Sequence, residues 1–426
     1  MRVMPRLPVL AALVVALLVP ASATAATRYA APDGGMVPGC VQVTPCSLDY
    51  AITAAAPGDE VVVGPGQYVL GATIETETPL WIHGPPGDPK PRIFAADKSA
   101  FKSFAQQRIG DLEFESTNNP EGVLFVPADG TVLERLKLFA RGADSLGLRP
   151  GNNFTMTDTL VFAENSTDAI GVFIQGTGSG SVQLRNDTIV AEGSNAVALS
   201  AFMVGKNASL AVEATNVIAA GTRVDASALK SSEATGSTVA IRFDHSNLDS
   251  SEGAVTSTAG QTAPPQFFPP NPRGFQQART SPTIDAGVND ARNGPVDIDS
   301  RPRALPGHRS CEQPDPPAIT DIGAYEFDPG ILACVPRTRI TRFKLRKRRA
   351  KIWFAAAGTQ EPVTFRCRRD RYRWYPCVSP VAYVNLRSGR HVIKVRAFSP
   401  IASDQTPAKH RFRVKRPAKS KAGARR

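Results

Sequence analysis

The sequence predicts an all-β chain in two unlike parts, a coil of short repeated strands followed by a small, strongly basic strand-rich module. Three observations lead there. Residues 50–280 are rich in Val, Ile, Thr, Gly and Asn and lack long amphipathic helical patterns. Within them a ten-residue segment recurs, its starts 24, 23, 28 and 28 residues apart. The charge then splits: residues 337–426 hold 27 Lys and Arg against three acids, whereas the preceding residues hold 23 against 35. Two regions of opposite sign predict two domains with different partners.

Residues 1–25 are expected to leave the mature chain. Arg2 and Arg6 flank the start of a 13-residue stretch, 7–19, apolar but for Pro8. Ala21-Ser22-Ala23 or Ala23-Thr24-Ala25 then offers a small-residue cleavage site. This is the pattern of a secretory signal peptide, too short to span a bilayer core of roughly 30 Å. No later stretch reaches ~18 apolar residues, so an exported, soluble mature chain is expected. Six cysteines in an exported chain favour disulfides. Fifteen pairings are formally possible; neighbour pairing (Cys40 with Cys46, Cys311 with Cys334, Cys367 with Cys377) keeps each bridge within one segment. No C-x-x-C spacing or cluster of the five histidines points to zinc.

Residues 26–58 read as a cap. Ser47 is placed to N-cap a short helix whose Leu48, Ala51, Ile52 and Ala55 share one face. Such a helix would cover the first coil, whose unpaired strand edges otherwise recruit other chains. Pro57-Gly58-Asp59 ends it, and Val61-Val62-Val63 is expected to begin the first strand.

The coil follows, over 59–280. The segments QRIGDLEFES (107–116), TVLERLKLFA (131–140), FTMTDTLVFA (154–163), VQLRNDTIVA (182–191) and LAVEATNVIA (210–219) align, with a fainter copy from Val239. Their third position reads Ile109, Leu133, Met156, Leu184, Val212 and their eighth Phe114, Leu138, Val161, Ile189, Val217, apolar in every copy as interior columns must be. A second strand follows in SLGLR (145–149), AIGVFI (169–174) and AVALSA (196–201). The period is too short for a strand plus a full helix, and it fits three short strands and three turns per coil.

These features resemble the right-handed parallel β-helix of the pectate-lyase-like superfamily, in which coils stack at about 4.8 Å with inward side chains in ladders. The opening YAAPDGG…GC…PCSLDYAITAAAPGDEVVVGPGQYVL (29–70) is similar to that of exported members. SPTIDAG (281–287), DIDSRPRALPG (297–307) and DIGAYEF (321–327) resemble, in order, the closing segment of bacterial β-helix proteins called choice-of-anchor Q, assigned here to 281–336. In it Asp285, Asp297 and Asp321 stand where short carboxylates bond turn amides. Asp290, Asp297 and Asp299 are candidate calcium ligands, since hard cations take oxygen donors.

Residues 337–417 resemble the immunoglobulin-like or fibronectin-like β-sandwich modules that end many exported bacterial proteins, on Phe365-x-Cys367, Cys377-x-Ser379-Pro380, Leu386-x-x-Gly389-x-His391 and Val395-Arg396-Ala397. HVIKVRA and RFRV alternate as half-buried strands do. This module departs from the pattern in carrying Arg366, Arg368, Arg369, Arg371 and Arg373 around its first cysteine. Beside Tyr372, Trp374 and Tyr375, these arginines suit sulfate, phosphate or uronate polymers, through bidentate contacts and stacking. Export argues against nucleic acid as a routine partner. Residues 418–426 form a basic tail expected to be disordered, without a sortase motif.

Enzymes of the resembled superfamily act on polysaccharides in an outward groove, with carboxylates and a basic residue. The segment Ser166-Thr167-Asp168 is similar to the Asn-Thr-Asp motif of polygalacturonases, with Asp168 at the catalytic position. Ser166 replaces the Asn, however, and the partner Asp pair, Gly-His-Gly and Arg-x-Lys motifs are missing. The candidate catalytic residues are Asp168, Glu164, Glu192 and Asp187. Glu164 and Glu192 are one coil apart and should stack, with Arg141 one coil earlier, and Arg185, Glu213 and Arg242 should alternate in sign as ordinary sheet support. Stacked like charges either raise a pKa or hold a cation. The expectation is an exported, cell-envelope protein that binds a glycan or surface without catalysis. Its basic module holds it to anionic polymer while its coil offers an acidic face; the alternative is a polysaccharide lyase or glycoside hydrolase.

Overall fold

A computed structural model describes residues 25–165, 167–268, 274–307, 317–329, 335–359, 362–399 and 403–416. The leader, Ser166, Cys311, Cys334 and the tail from 417 lie outside the described residues. The first part is a parallel β-solenoid whose successive strands feed three sheets of ten, eight and seven strands. Except at the two ends of the solenoid, the neighbour of a strand in each sheet is the one three elements on, so each inner coil gives every sheet one strand.

The apolar columns are real. Leu133 pairs in register with Ile109 and Met156, and Met156 with Leu184. In the last aligned copy the column slips by two residues: Leu184 pairs with Ala214 and Ile189 with Ala219, where Val212 and Val217 were expected. A two-residue slip leaves the same face inward, so the apolar pattern alone does not reveal it. It does change the ladder: Glu213 lies between Gln183 and Arg242, and Arg185 pairs with Thr215.

The slip belongs to a corner that the alignment contained. At the tight turn from the ten- to the seven-stranded sheet, Asp111, Arg135, Asp158, Asn186, Asn216 and His245 all have φ between 44 and 56°. Asp and Asn tolerate that left-handed conformation best among side chains with a Cβ. Asn216 donates through Nδ2 to Asn186 Oδ1 (3.0 Å), and Asn186 donates to Asp158 Oδ1 (3.2 Å). The fifth position of the first four segments reads Asp111, Arg135, Asp158, Asn186; matching Asn216 to it corrects the register.

The cap helix spans Leu48–Thr53 and buries Leu48, Ala51 and Ile52. Ser47 occupies the N-cap position, but its hydroxyl makes no capping bond and is buried without a partner. A strand precedes the helix: Thr27–Gly35 pairs in parallel with Glu60–Val63, so the expected first strand is the second. Cys40 and Cys46 are bridged within the cap.

The residues after the coil fold back over the seven-stranded sheet. Outward-facing Phe139, Leu160, Phe162 and Val190 pack with Phe275, Ile298, Ala324 and Tyr325 in one buried cluster. Gly323, at φ 107°, lies so close that a Cβ would sit 2.8 Å from Thr188 Oγ1 and Ile218 Cδ1. The following residues form two antiparallel sheets of three and four strands around Ile352, Phe354, Cys367, Ile393 and Val395, a small β-sandwich. Cys367 and Cys377 bridge one hairpin of it. No described helix is long and apolar enough to cross a membrane.

Candidate functional site

The predicted catalytic residues divide between the two ends of the seven-stranded sheet. Glu164 and Glu192 are direct neighbours in register, as expected, at the ends of Leu160–Glu164 and Thr188–Glu192. Both are exposed. Arg141, one coil back, bonds Glu164 Oε2 at 2.6 Å, lies 3.6 Å from Glu115 Oε1, and rests over Phe139 and Phe162. Asp168 is exposed in the turn that follows Glu164. Its Oδ1 accepts from Asn195 Nδ2 of the next coil (2.7 Å), and its carbonyl accepts from Asn165 Nδ2 (3.1 Å). These are the contacts of a turn residue tied to its neighbour rung.

Asp187 is elsewhere. It immediately precedes the strand that Glu192 ends, five residues or about 16 Å away. It is fully buried and accepts from the backbone N–H groups of Thr159 and Arg185, each at 2.9 Å. Burial holds its carboxyl well above the usual range. It belongs to an acidic clasp under the folded-back segment. Asp158, pushed up to about 6 by burial, meets Arg303 Nη2 at 2.7 Å. Arg303 also donates to the carbonyls of Gly323 and Ala324 and lies 3.7 Å from Glu326. Asp321 and Glu326 are both buried and both raised, chiefly by burial.

The expected calcium ligands are each engaged within the protein. Asp290 caps the short helix Ala291–Asn293 and meets Arg185 at 3.2 Å. Asp297 accepts from the amides of Asp299, Arg301 and Glu326. Asp299 faces Lys137 Nζ at 2.8 Å. Among the described residues no three His, Cys, Asp or Glu are grouped to hold a metal. As expected, Asp321 bonds turn amides, those of Asp285 and Phe327. Asp59, Asp111, Glu115, Asp158, Asp187, Asp225, Asp297, Asp299, Asp321 and Glu326 are buried and so take no part in an acidic outer face.

Two surfaces remain open. The outer face of the eight-stranded sheet carries exposed Phe104 and Leu229 and half-buried Phe125, Phe173 and Phe202, with Arg149 on the coil between Phe125 and Phe173. Arg149 lies over Phe125 (5.3 Å) and bonds Gln175 (2.8 Å), and Gln175, Phe202 and Leu229 share one rung line.

The second surface is the outer face of the four-stranded sheet. Strand alternation puts Arg366 and Arg368 on it from one strand, Arg390, Lys394 and Arg396 from the next, and Lys409, Arg411 and Arg413 from the last. Like charges face one another in register: Arg366 with Arg396, Arg368 with Lys394, Lys394 with Lys409, and Arg390 with Arg413. Like charges directly opposite destabilise a sheet. Trp374 packs between the guanidinium groups of Arg368 (5.1 Å) and Arg396 (5.5 Å), whose buried Nε groups have no hydrogen-bond partner. Arg369 lies over Tyr372 and Tyr383, and Arg371 and Arg373 stand on the hairpin connecting Thr364–Arg369 to Tyr375–Cys377. The sequence singled out the five hairpin-side arginines and Trp374, and missed the rows from the two strands beyond. The alternation in HVIKVRA and RFRV contained that signal.

No family model and no curated protein matches the chain. Among solved structures, the crystal structure of pectate lyase Pel9A is similar over 72% of this chain and 97% of its own, at 12% identity and a TM-score of 0.38.

Proposed function

We propose that this is an exported, cell-envelope-associated scaffold whose solenoid binds a glycan or surface without catalysis and whose basic module, an immunoglobulin-like anchor, holds it to anionic polymer. One observation carries this reading: cations stacked opposite cations across three strands, with no acid interleaved among the described residues of those strands on that face. Such an arrangement costs stability unless an external polyanion occupies it. The aromatic strip with Arg149 and Gln175 supplies the solenoid with stacking surface and hydrogen bonds of the kind a sugar chain uses. Cell fractionation tests the anchor: the chain ending at residue 336 should move from the envelope to the medium, and continued retention would refute it.

The enzymatic alternative keeps one specific support. Glu164 and Glu192 stack as like charges beside the Asp168 turn, with Arg141 bonded to Glu164. If this were a polysaccharide lyase or hydrolase site, a glycan panel followed by reducing ends and unsaturated-uronate absorbance would show turnover that Asp168→Asn abolishes. The scaffold reading predicts binding without turnover.

A further inference from the structure

The cationic face ends in a groove of about 1120 Å³ lined by Asp370, Arg371, Tyr372, Arg390, His391, Arg411 and Arg413 among others. Two walls form it. The floor is the paired strands Gly389–Phe398 and Ala408–Val414, on which Arg390 faces Arg413 and Val392 faces Arg411. The other wall is the hairpin turn that carries Arg371 and Tyr372.

Asp370 fixes that turn. It adopts φ 51°, its N–H donates to the Val392 carbonyl, and its Oδ1 accepts from the Val392 N–H, both at 2.8 Å. Its Oδ2 meets His391 Nδ1 at 2.8 Å, while His391 Nε2 meets the Arg387 carbonyl at 2.8 Å. Both ring nitrogens therefore face acceptors, the arrangement of an imidazolium. The acid of this groove is thus already neutralised by His391. Among the described residues Arg371, Arg390, Arg411 and Arg413 have no carboxylate partner.

Geometry then separates kinds of anion. A planar carboxylate is satisfied by one guanidinium through two parallel bonds. A tetrahedral ester oxyanion has oxygens directed apart and can accept from two or three guanidinium groups at once. Directly opposed strand residues have Cα atoms about 4.5–5.5 Å apart, so Arg390 and Arg413 can converge on one such group. Tyr372 is 64% exposed, with its ring backed by Arg369 at 4.9 Å, which leaves a ring face for a sugar or polyol unit.

We infer that this groove is a subsite selective for phosphate or sulfate esters on a polymer chain over the carboxylates of uronate polymers. The inference rests on the anionic-polymer reading above and narrows its ligand. Arg390, Arg411, Arg413 and Arg371 hold the ester oxygens, Tyr372 stacks on the adjoining unit, and Asp370 is a positioning residue. The outer rows at Arg366, Lys394 and Arg396 supply attraction that does not distinguish the polymers.

The test is equilibrium binding of the oxidised, full mature chain to poly(glycerol phosphate), dextran sulfate and polygalacturonate at matched charge and ionic strength. Both ester polymers should bind roughly tenfold or more tightly than polygalacturonate, the ratio expected for one added charge-assisted contact. The double variant Arg390→Gln with Arg413→Gln should erase that preference, whereas Arg366→Gln with Arg396→Gln should weaken all three polymers by a common factor. Preference for only one ester identifies the source as phosphate or sulfate and supports the subsite. Equal binding of all three, or a common loss in the Arg390/Arg413 variant, overturns the subsite and leaves the anchor standing. Binding of none overturns both.

Discussion

The clasp over the seven-stranded sheet and the outer face of the four-stranded sheet are both densely charged, and they use charge in opposite ways. In the clasp, Asp158, Asp187, Asp297, Asp321 and Glu326 are buried, and backbone amides together with Arg303 satisfy them. On the sheet face, arginines and lysines meet one another in register. Charge that finds its partners within the chain is architecture, whereas charge left facing its own sign is available to a ligand. By this criterion we propose a structural role for Asp187 and for Asp168 with its Asn195 contact, and a binding role for the basic rows.

The contrast breaks most visibly at Arg303. Replacing it by Met strands ionised carboxylates in the clasp and should cost about 3–5 kcal/mol at neutral pH, read as a fall in the melting temperature of the solenoid. Asp158 has a folded pKa raised to about 6 from a reference of 3.8, so the native state prefers it protonated. The penalty for ionising it therefore grows as pH rises through that window and is complete above it. Melting at about pH 5 and about pH 8 should show the smaller loss for Arg303→Met at the lower pH; equal losses would mean the clasp is not an electrostatic unit.

On the sheet face the same logic reverses. Lys394→Glu would place one acid between Arg368 and Lys409, converting two like-charge pairs into opposite ones. Folding stability should rise by about 0.5–1 kcal/mol, measured by denaturant unfolding, while polyanion binding weakens. A variant that loses both stability and binding would show that Lys394 serves packing. The smallest effect is expected at Asp168→Asn, within about 0.5 kcal/mol of the parent in the same measurement, because an Asn side chain keeps an acceptor for Asn195.

Much of the solenoid was legible because a buried column tolerates only apolar residues, and Leu133, Met156 and Leu184 repeat at coil length. Two further features were present but harder to read. The left-handed corner sits at the fifth position of the first four segments and two residues later in the next copies, and Arg135 and His245 interrupt its Asp and Asn series. The covered sheet announces itself in LVFA and TIVA, apolar on both faces, as strands buried on both sides must be. The fold-back that covers them was not legible: its contacts, such as Arg185 with Asn293 and Thr188 with Ala324, span more than a hundred residues and follow no period. For the same reason Asp187 read as a candidate catalytic acid. The basic site was half legible, since the hairpin arginines are contiguous in sequence, whereas Arg390, Lys394, Arg411 and Arg413 join them only through strand pairing.

We propose that the basic sheet, and not the solenoid, holds this protein to anionic polymer. Binding of the full mature chain and of the chain ending at residue 336 to poly(glycerol phosphate), at low and high salt, tests it most directly. The account predicts strong binding by the full chain that falls steeply as salt screens the exposed rows, and none by the shorter chain. Equal binding by both chains, or binding by the full chain that salt leaves unchanged, would contradict it.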